Sequence, residues 1–533
     1  MNPIIVVGSG ASGVHFALAA LRKGRRVVML DVGHTGQEVV RPDDSLNGLK
    51  QNLPDPVGYF LGPRYESLVL PGSTGESHAI PPSKDYVFRA PPEFQYEANG
   101  FSPLFSFAAG GLAEAWTGGC YPFNDRELRA FPFGYEELAP FYAKVSAQIG
   151  ITGADDDLAA ALPFHGGLME PLELDDHSAF LLEAYKRRRS YLNEKLGCLM
   201  GRARVAALSR ALGSRKRCGY LGRCLWGCPG GAFYTPSLTL AECLAFPGFR
   251  YHAGLYVDHF RMDNNGSVRS VVAYSAGGQT HEFPAGSLVL AAGTLCSAKI
   301  FLESMHREAG KALELRGVMD NRQILMPFVN LRMLGRRWSA DSYQFHQVAM
   351  TVQPSDTGEY VLGLVTTLKT AMIHPLVPTL PFDLGTSVSA FRNVHSALGM
   401  VNINLPDHRR DENYVTLDVS SRPHRLIIHY RPESAEPERL KHTIATFRKV
   451  LWKLGCFAPS RTVHVRPMGA SVHYAGTLPM TDKPTSLACS KHCQSHDVEN
   501  LYFADGSTFP DLPAKNLTFT LMANATRIAE EAF

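Results

Sequence analysis

Long apolar runs are missing from this 533-residue chain. No stretch of about 18 uncharged apolar residues occurs, which argues against a helical membrane span. Charge of one sign is missing too. Lys and Arg number 53 against 50 Asp and Glu, a formal net charge of +3, and that balance gives no field for wrapping nucleic acid. Repeats and low-complexity tracts are absent. The opening Met1-Asn2-Pro3-Ile4 enters an apolar run at once. It lacks the charged leader and small-residue cleavage site of a secretory signal. A cytoplasmic location is therefore expected, with export alongside a signal-bearing partner left open. Cysteine is sparse at 10 residues, yet Cys218, Cys224 and Cys228 crowd into eleven positions. What is present is a globular composition, 45% hydrophobic and 19% charged, and enough chain for two or three domains of roughly 150 residues each.

The first motif follows directly. Ile4-Ile5-Val6-Val7 reads as a short buried strand, Gly8-Ser9-Gly10-Ala11-Ser12-Gly13 as a turn, and the Ala- and Leu-rich run to Lys23-Gly24 as a helix. A second strand, Val27-Val28-Met29-Leu30, ends at Asp31. In Gly8-x-Gly10-x-x-Gly13 the first glycine permits the tight turn, the second lets backbone approach a pyrophosphate, and the third lets helix pack on strand. Ala11 and Ser12 open the helix, whose N-terminal N–H groups favour phosphate. Asp31 is placed to accept from a ribose hydroxyl. Strand, helix, strand and terminal acid in register predict a dinucleotide site; the segment alone does not choose between FAD and NAD.

Further along, residues 135–149 and 177–196 read as helices and 250–290 as strands. Residues 186–223 carry twelve Lys or Arg and one acid, Glu194. Residues 343–430 are rich in β-branched residues, and Tyr414 to Val419 alternates as a half-buried strand does. A helix is expected from about Ala435 to Leu454, capped by Ser434 and ended by Gly455. The predicted fold is α/β: a Rossmann-like dinucleotide-binding domain over 1–340 and 456–533, with a β-rich substrate domain inserted at 341–455.

Several blocks, in order, are similar to the glucose–methanol–choline (GMC) oxidoreductases, which are FAD enzymes. Asn500 to Pro510 resembles the family's closing block, whose Asp-Gly turn (Asp505, Gly506) lies against the flavin end. Leu290 to Thr294, with Ala292 and Gly293, resembles its second FAD-contacting strand. Ala109 to Thr117, with Gly110, Gly111, Trp116 and Thr117, resembles the segment beside the isoalloxazine, and Val257 is grouped with these cofactor residues. The Trp-Thr ending and Phe131-Pro132 to Tyr142 look closest to the pyranose oxidase and sugar dehydrogenase branch. Where pyranose oxidase-like enzymes carry a flavin-linking histidine, this chain has Ala115, which implies non-covalent FAD. Ser471-Val472-His473-Tyr474-Ala475-Gly476-Thr477-x-x-Met480 resembles the family's S-x-H-x-x-G-T-x-x-M block. The resemblance makes His473 the general base and Asn516 the group that holds the same oxygen. Hydride leaves an alcohol carbon for flavin N5 only if the hydroxyl proton is taken, and a neutral imidazole can take it. One departure stands out: Leu517 follows Asn516 where the family usually has proline.

Cys218-x5-Cys224-x3-Cys228-Pro229 offers three thiols in a turn-rich loop. It resembles the iron–sulfur loop of bacterial FAD-dependent glucose and fructose dehydrogenases, which implies a 3Fe-4S cluster as metal centre. A zinc site would want a fourth ligand, and three structural cysteines are the plain alternative. The surrounding basic run would offset such a cluster, dock an acidic redox partner, or simply face solvent. Cys489 and Cys493, and His424, His429 and His464, carry no motif and read as structural. The expected function is FAD-dependent oxidation of a hydroxyl on a sugar or polyol, with electrons leaving through the cluster. The alternatives are an oxygen-using pyranose oxidase-like oxidase, a lyase of this fold, and a non-catalytic flavin-binding partner.

Overall fold

The computed structural model describes residues 2–68, 80–163, 166–337, 341–353, 359–368 and 382–533. Its centre is a parallel sheet in the order Leu501–Phe503, Ser287–Leu290, Ile4–Val7, Val27–Leu30, Phe249–His252. Ile4–Val7 is buried along its whole length, and the reason is position. A central parallel strand is covered on both faces, so it tolerates no polar alternation. Helices Ala11–Arg22 and Thr518–Ala532 pack together on this sheet, with Phe16 and Phe533 meeting edge to face at 5.2 Å. A three-stranded antiparallel sheet, Leu255–Met262, Val268–Ser275 and Thr280–Pro284, packs against helix Thr294–Ala309. The α/β expectation holds, and both chain ends and the middle build the nucleotide sheet.

The second large sheet is antiparallel and seven-stranded. Its main path runs Cys456–Phe457, Arg322–Asn330, Leu398–Leu405, Val361–Thr367, Val348–Val352, Cys198–Arg202, with His464–Val465 on the side of Arg322–Asn330. It therefore draws strands from well outside the expected 341–455 segment. Residues 354–358 and 369–381 of that segment lie outside the described residues. Strands Tyr414–Asp418 and Arg425–His429 do not join this sheet; they pair with Glu314–Arg316 and Gln95–Asn99 in a separate four-stranded one.

Helix Glu436–Lys453 packs Phe447, Val450 and Leu451 into the core of the seven-stranded sheet, beside Ile324 and Val401. Ser434 does not cap it: the N-cap is Ala435, without a side-chain bond, while Pro437 sits in the first turn, where a missing N–H costs little. Gly455 ends it with φ +83°. The expected 177–196 helix is broken at Arg188 into Asp176–Arg187 and Arg189–Leu196. Arg189 begins the second piece and donates twice to Asp157, at 2.6 Å each. No helix among the described residues is long and apolar enough to cross a membrane.

Candidate active site

The turn after Ile4–Val7 has no room for a side chain at Gly8 or Gly13. Gly8 has φ +96°, and a Cβ there would lie 2.7 Å from the Ala291 carbonyl oxygen. A Cβ at Gly13 would lie 2.0 Å from the Gly8 oxygen. Gly10 differs: a Cβ there meets nothing nearer than Gly111 Cα at 4.0 Å. Bare backbone there faces open space, which is what a pyrophosphate cradle requires.

That space belongs to a cavity that runs from Asp31 to Asp505. Gly8, Gly10, Ala11, Ser12, Asp31, Gly111, Val257, Ala292, Gly293, Asp505 and Gly506 all line it. Gly13 packs behind the turn. Gly110, Trp116 and Thr117 stand behind the wall: Gly110 donates to Ser9 Oγ at 3.0 Å, Trp116 Nε1 donates to the Tyr234 carbonyl at 2.8 Å, and the Thr117 carbonyl accepts from Tyr343.

Asp31 is buried, and burial pushes its carboxyl up to about 6 against hydrogen bonds from Ser9 and Tyr251. The Ser9 hydroxyl donates to Asp31 Oδ2 while accepting from Gly110 N–H. Ser9 thus ties the turn, the acid and the Gly-Gly segment together. It sits inside the glycine motif as an unassigned position, and nothing in the spacing marks it. At the far end Asp505 accepts from Gly293 N–H at 3.0 Å, Ser297 Oγ at 2.5 Å and Ser507 Oγ at 2.7 Å, and burial raises its carboxyl as well.

Next to this end, Val472, Tyr474, Leu517 and Thr518 line the cavity. They bracket His473 and Asn516, whose Nε2 and Nδ2 atoms are 3.1 Å apart. The helix after Asn516 begins at Thr518 with Leu517 as its N-cap, so leucine in place of proline still allows the pair to meet. His473 Nδ1 lies 3.0 Å from Asn321 Oδ1. Its backbone N–H donates to Asp320 Oδ1 at 3.0 Å, and Ser471 Oγ donates to the same atom at 2.6 Å. Burial, then the Arg466 charge, holds His473 down at about 4, so the imidazole is neutral near pH 7. Val472 and Thr477 adopt φ +65° and +91°. Left-handed non-glycine residues cost free energy and cluster where a site needs a fixed pose. Asn516 Oδ1 is buried with no partner, and Gly119 leaves room in front of it, since a Cβ there would sit 3.3 Å away. Asn321, Asp320 and Gly119 carry no sequence signal; each reaches the site from a distant segment.

The cysteine loop does not bear out the metal expectation. Among the described residues no group of three or more His, Cys, Asp or Glu side chains is arranged to hold a metal ion. Cys218, Cys224 and Cys228 pack in one apolar patch with Tyr343 and Phe345. Cys218 and Cys228 sulfurs accept backbone N–H from Tyr220 and Phe233, each at 3.4 Å. Burial pushes the Cys218 and Cys224 thiols up. What fixes the loop is Arg223, buried and donating to the carbonyls of Val40, Arg41, Asp44 and Gly227, and Trp226, wedged against Phe60 at 4.7 Å. Arg204 and Arg215 likewise clamp backbone carbonyls. Arg204, Arg215 and Arg223 are thus internal scaffold, while Lys186, Arg187, Arg188, Arg189, Lys195, Arg210, Lys216 and Arg217 are exposed.

Comparison with known proteins agrees with this arrangement. Residues 409–525 match the family model for GMC oxidoreductases. This part of the chain is similar to the GMC oxidoreductases. Similar relatives include the paromamine 6'-oxidase of Streptomyces fradiae, 23% identical over 99% of this chain and 90% of that protein. The 6'''-hydroxyparomomycin C oxidase of Streptomyces lividus is 24% identical over 98% and 90%. Among solved structures, pyridoxine 4-oxidase from Mesorbium loti aligns with a TM-score of 0.65 at 14% identity, over 100% of this chain and 99% of that one. A formate oxidase of Aspergillus oryzae aligns at 0.62 and 12%, over 99% and 97%. Bare backbone at Gly10, buried Asp31 at one end and a donor-rich Asp505 turn at the other fit FAD in the cavity.

Proposed function

We propose that this protein is a GMC oxidoreductase, an FAD-dependent oxidase of a hydroxyl group on an amino sugar or related polyol, with dioxygen as terminal acceptor. The observation that carries the reading is the neutral His473 held between Asn321 and Asn516 beside the cavity end at Asp505. FAD, non-covalently bound, supplies a two-electron acceptor. His473 Nε2 removes the hydroxyl proton as the carbon is oxidised, and base catalysis of this kind contributes about 10²–10⁴-fold in rate. Asn516 orients the same oxygen. Gly8 to Ser12 and Asp31 would hold the pyrophosphate and ribose, and Gly111, Val257, Ala292, Gly293, Asp505 and Gly506 would frame the rest of the cofactor. The alcohol becomes a carbonyl, and its two electrons and two protons leave on dioxygen as hydrogen peroxide.

Two features support an oxidase over a cluster-linked dehydrogenase. The three thiols do not form a metal-holding group, and the relatives and structural neighbours are oxidases by name. Amino-sugar chemistry is supported by the names of the two Streptomyces relatives alone. The test is an oxygen electrode with peroxide detection across neutral hexoses, amino sugars and pseudodisaccharide aminoglycosides. Stoichiometric peroxide with an amino-sugar alcohol is expected. Flavin reduction with no oxygen uptake would overturn the oxidase assignment.

A further inference from the structure

The amide of Asn321 has only one way to face. It is almost fully buried, at 1% exposure, immediately before strand Arg322–Asn330. Its Nδ2 donates to the carbonyls of Leu405 and Pro513, each at 3.0 Å. Both partners are pure acceptors. Turning the amide round would set Oδ1 against two carbonyl oxygens and leave two buried acceptors without donors, and a buried polar group left unpaired is destabilising. Oδ1 must therefore face His473 Nδ1, 3.0 Å away.

An oxygen at that position requires a proton on Nδ1. A neutral imidazole carries one N–H, so Nε2 is left with its lone pair. The consequence reaches the next residue. Asn516 must present Nδ2 to that lone pair, at 3.1 Å, and its Oδ1 is then without a partner. Two backbone carbonyls thus dictate, through one amide, both the tautomer of the histidine and the orientation of the second amide. Leu405 closes strand Leu398–Leu405 of the large sheet, and Pro513 lies three residues before Asn516. The same amide therefore ties the sheet to the loop that carries Asn516.

We propose that Asn321 is a positioning residue that locks His473 in the Nδ1–H tautomer and so keeps Nε2, which Asn516 Nδ2 faces in the structure, as the proton-accepting nitrogen for the substrate hydroxyl. This rests on the reading of His473 as the base. Asn321 touches no substrate; it acts through the imidazole, as the orienting partner of a catalytic histidine does in general.

The test uses holoenzyme. Ring ¹⁵N spectra of histidine-labelled protein, with the His473 signals assigned by their loss in His473→Gln, report the tautomer directly. The expected result is Nδ1–H with bare Nε2 in the native enzyme and a mixture in Asn321→Ala. The rate test compares Asn321→Ala with Asn321→Asp. Both variants lose the bonds to Leu405 and Pro513, and Asp further sets its second oxygen against those two carbonyls, so structural damage alone would leave Asp no faster than Ala. Only Asp keeps an acceptor oxygen toward Nδ1. Anaerobic flavin reduction should fall by about 10²-fold in the Ala variant and recover at least tenfold in the Asp variant, with flavin content equal in both. Nε2–H in the native enzyme, or equal rates in the two variants, would overturn the proposal. Nδ1–H in an enzyme whose His473→Ala variant still oxidises alcohols would instead remove the base assignment and leave the tautomer lock standing.

Discussion

Gly10→Ala and Gly13→Ala add the same methyl group three residues apart, and the structure assigns them opposite consequences. At Gly13 the new Cβ would sit 2.0 Å from the Gly8 carbonyl oxygen and 3.4 Å from Ala291 Cβ. Relief requires helix Ala11–Arg22 to move off the sheet by roughly 1 Å or more, and overpacking of this kind costs about 1–3 kcal/mol. At Gly10 the nearest protein atom is 4.0 Å away, and the backbone, at φ −62° and ψ 178°, suits alanine. Deflavinated Gly10→Ala should therefore melt within about 0.5 kcal/mol of the parent. Its methyl would project into the space assigned to the pyrophosphate. If that contact costs the same 1–3 kcal/mol, FAD binds about 5- to 150-fold more weakly. Urea unfolding of the deflavinated proteins gives the first quantity, and FAD titration by fluorescence quenching gives the second. Parental FAD affinity in Gly10→Ala would refute the assignment of this turn to the cofactor phosphates. Equal destabilisation of the two apo variants would refute the steric argument.

Other outcomes follow from the same geometry. His473 must be neutral to accept a proton, and burial holds it down at about 4; kcat/KM should therefore be flat from about pH 6 to 8 and fall as pH drops through about 4 to 5, and an acid limb near pH 7 would contradict this. Acid precipitation should release all the yellow colour, because Ala115 offers no nucleophile to link the flavin; colour kept in the pellet would show a covalent bond. Cys224→Ser should leave the rates of flavin reduction and of oxygen uptake within twofold of the parent, as a thiol that carries no electrons would; selective loss of electron transfer to an external acceptor would restore the cluster.

The nucleotide half of the molecule was legible because its signals are local. Gly8, Gly10, Gly13 and Asp31 lie within one strand–helix–strand unit, and each residue type answers to a constraint inside that unit. The His473 and Asp505 blocks could be placed by resemblance. Asn321, Asp320 and Gly119 could not, since each becomes part of the site only when strands from three segments converge. The large sheet misled for a similar reason. Cys198–Arg202 pairs with Val348–Val352 across some 150 residues, and no period within either strand announces the other. The cysteine spacing suggested a shared ligand, yet the loop's conformation is set by Arg223 and Trp226, whose partners lie at 40–60 in the chain. Ser434 looked like a helix cap by type, but the helix starts later, where Pro437 fits its first turn.

The central claim is that His473 takes the hydroxyl proton of an alcohol while bound FAD receives its electrons. Anaerobic stopped-flow mixing of the enzyme with an amino-sugar alcohol, for the parent and for His473→Ala loaded with equal flavin, tests it most directly. The account predicts rapid bleaching of the flavin band in the parent and a rate constant about 10²–10⁴-fold lower in the variant. Bleaching at the parental rate in His473→Ala would contradict it.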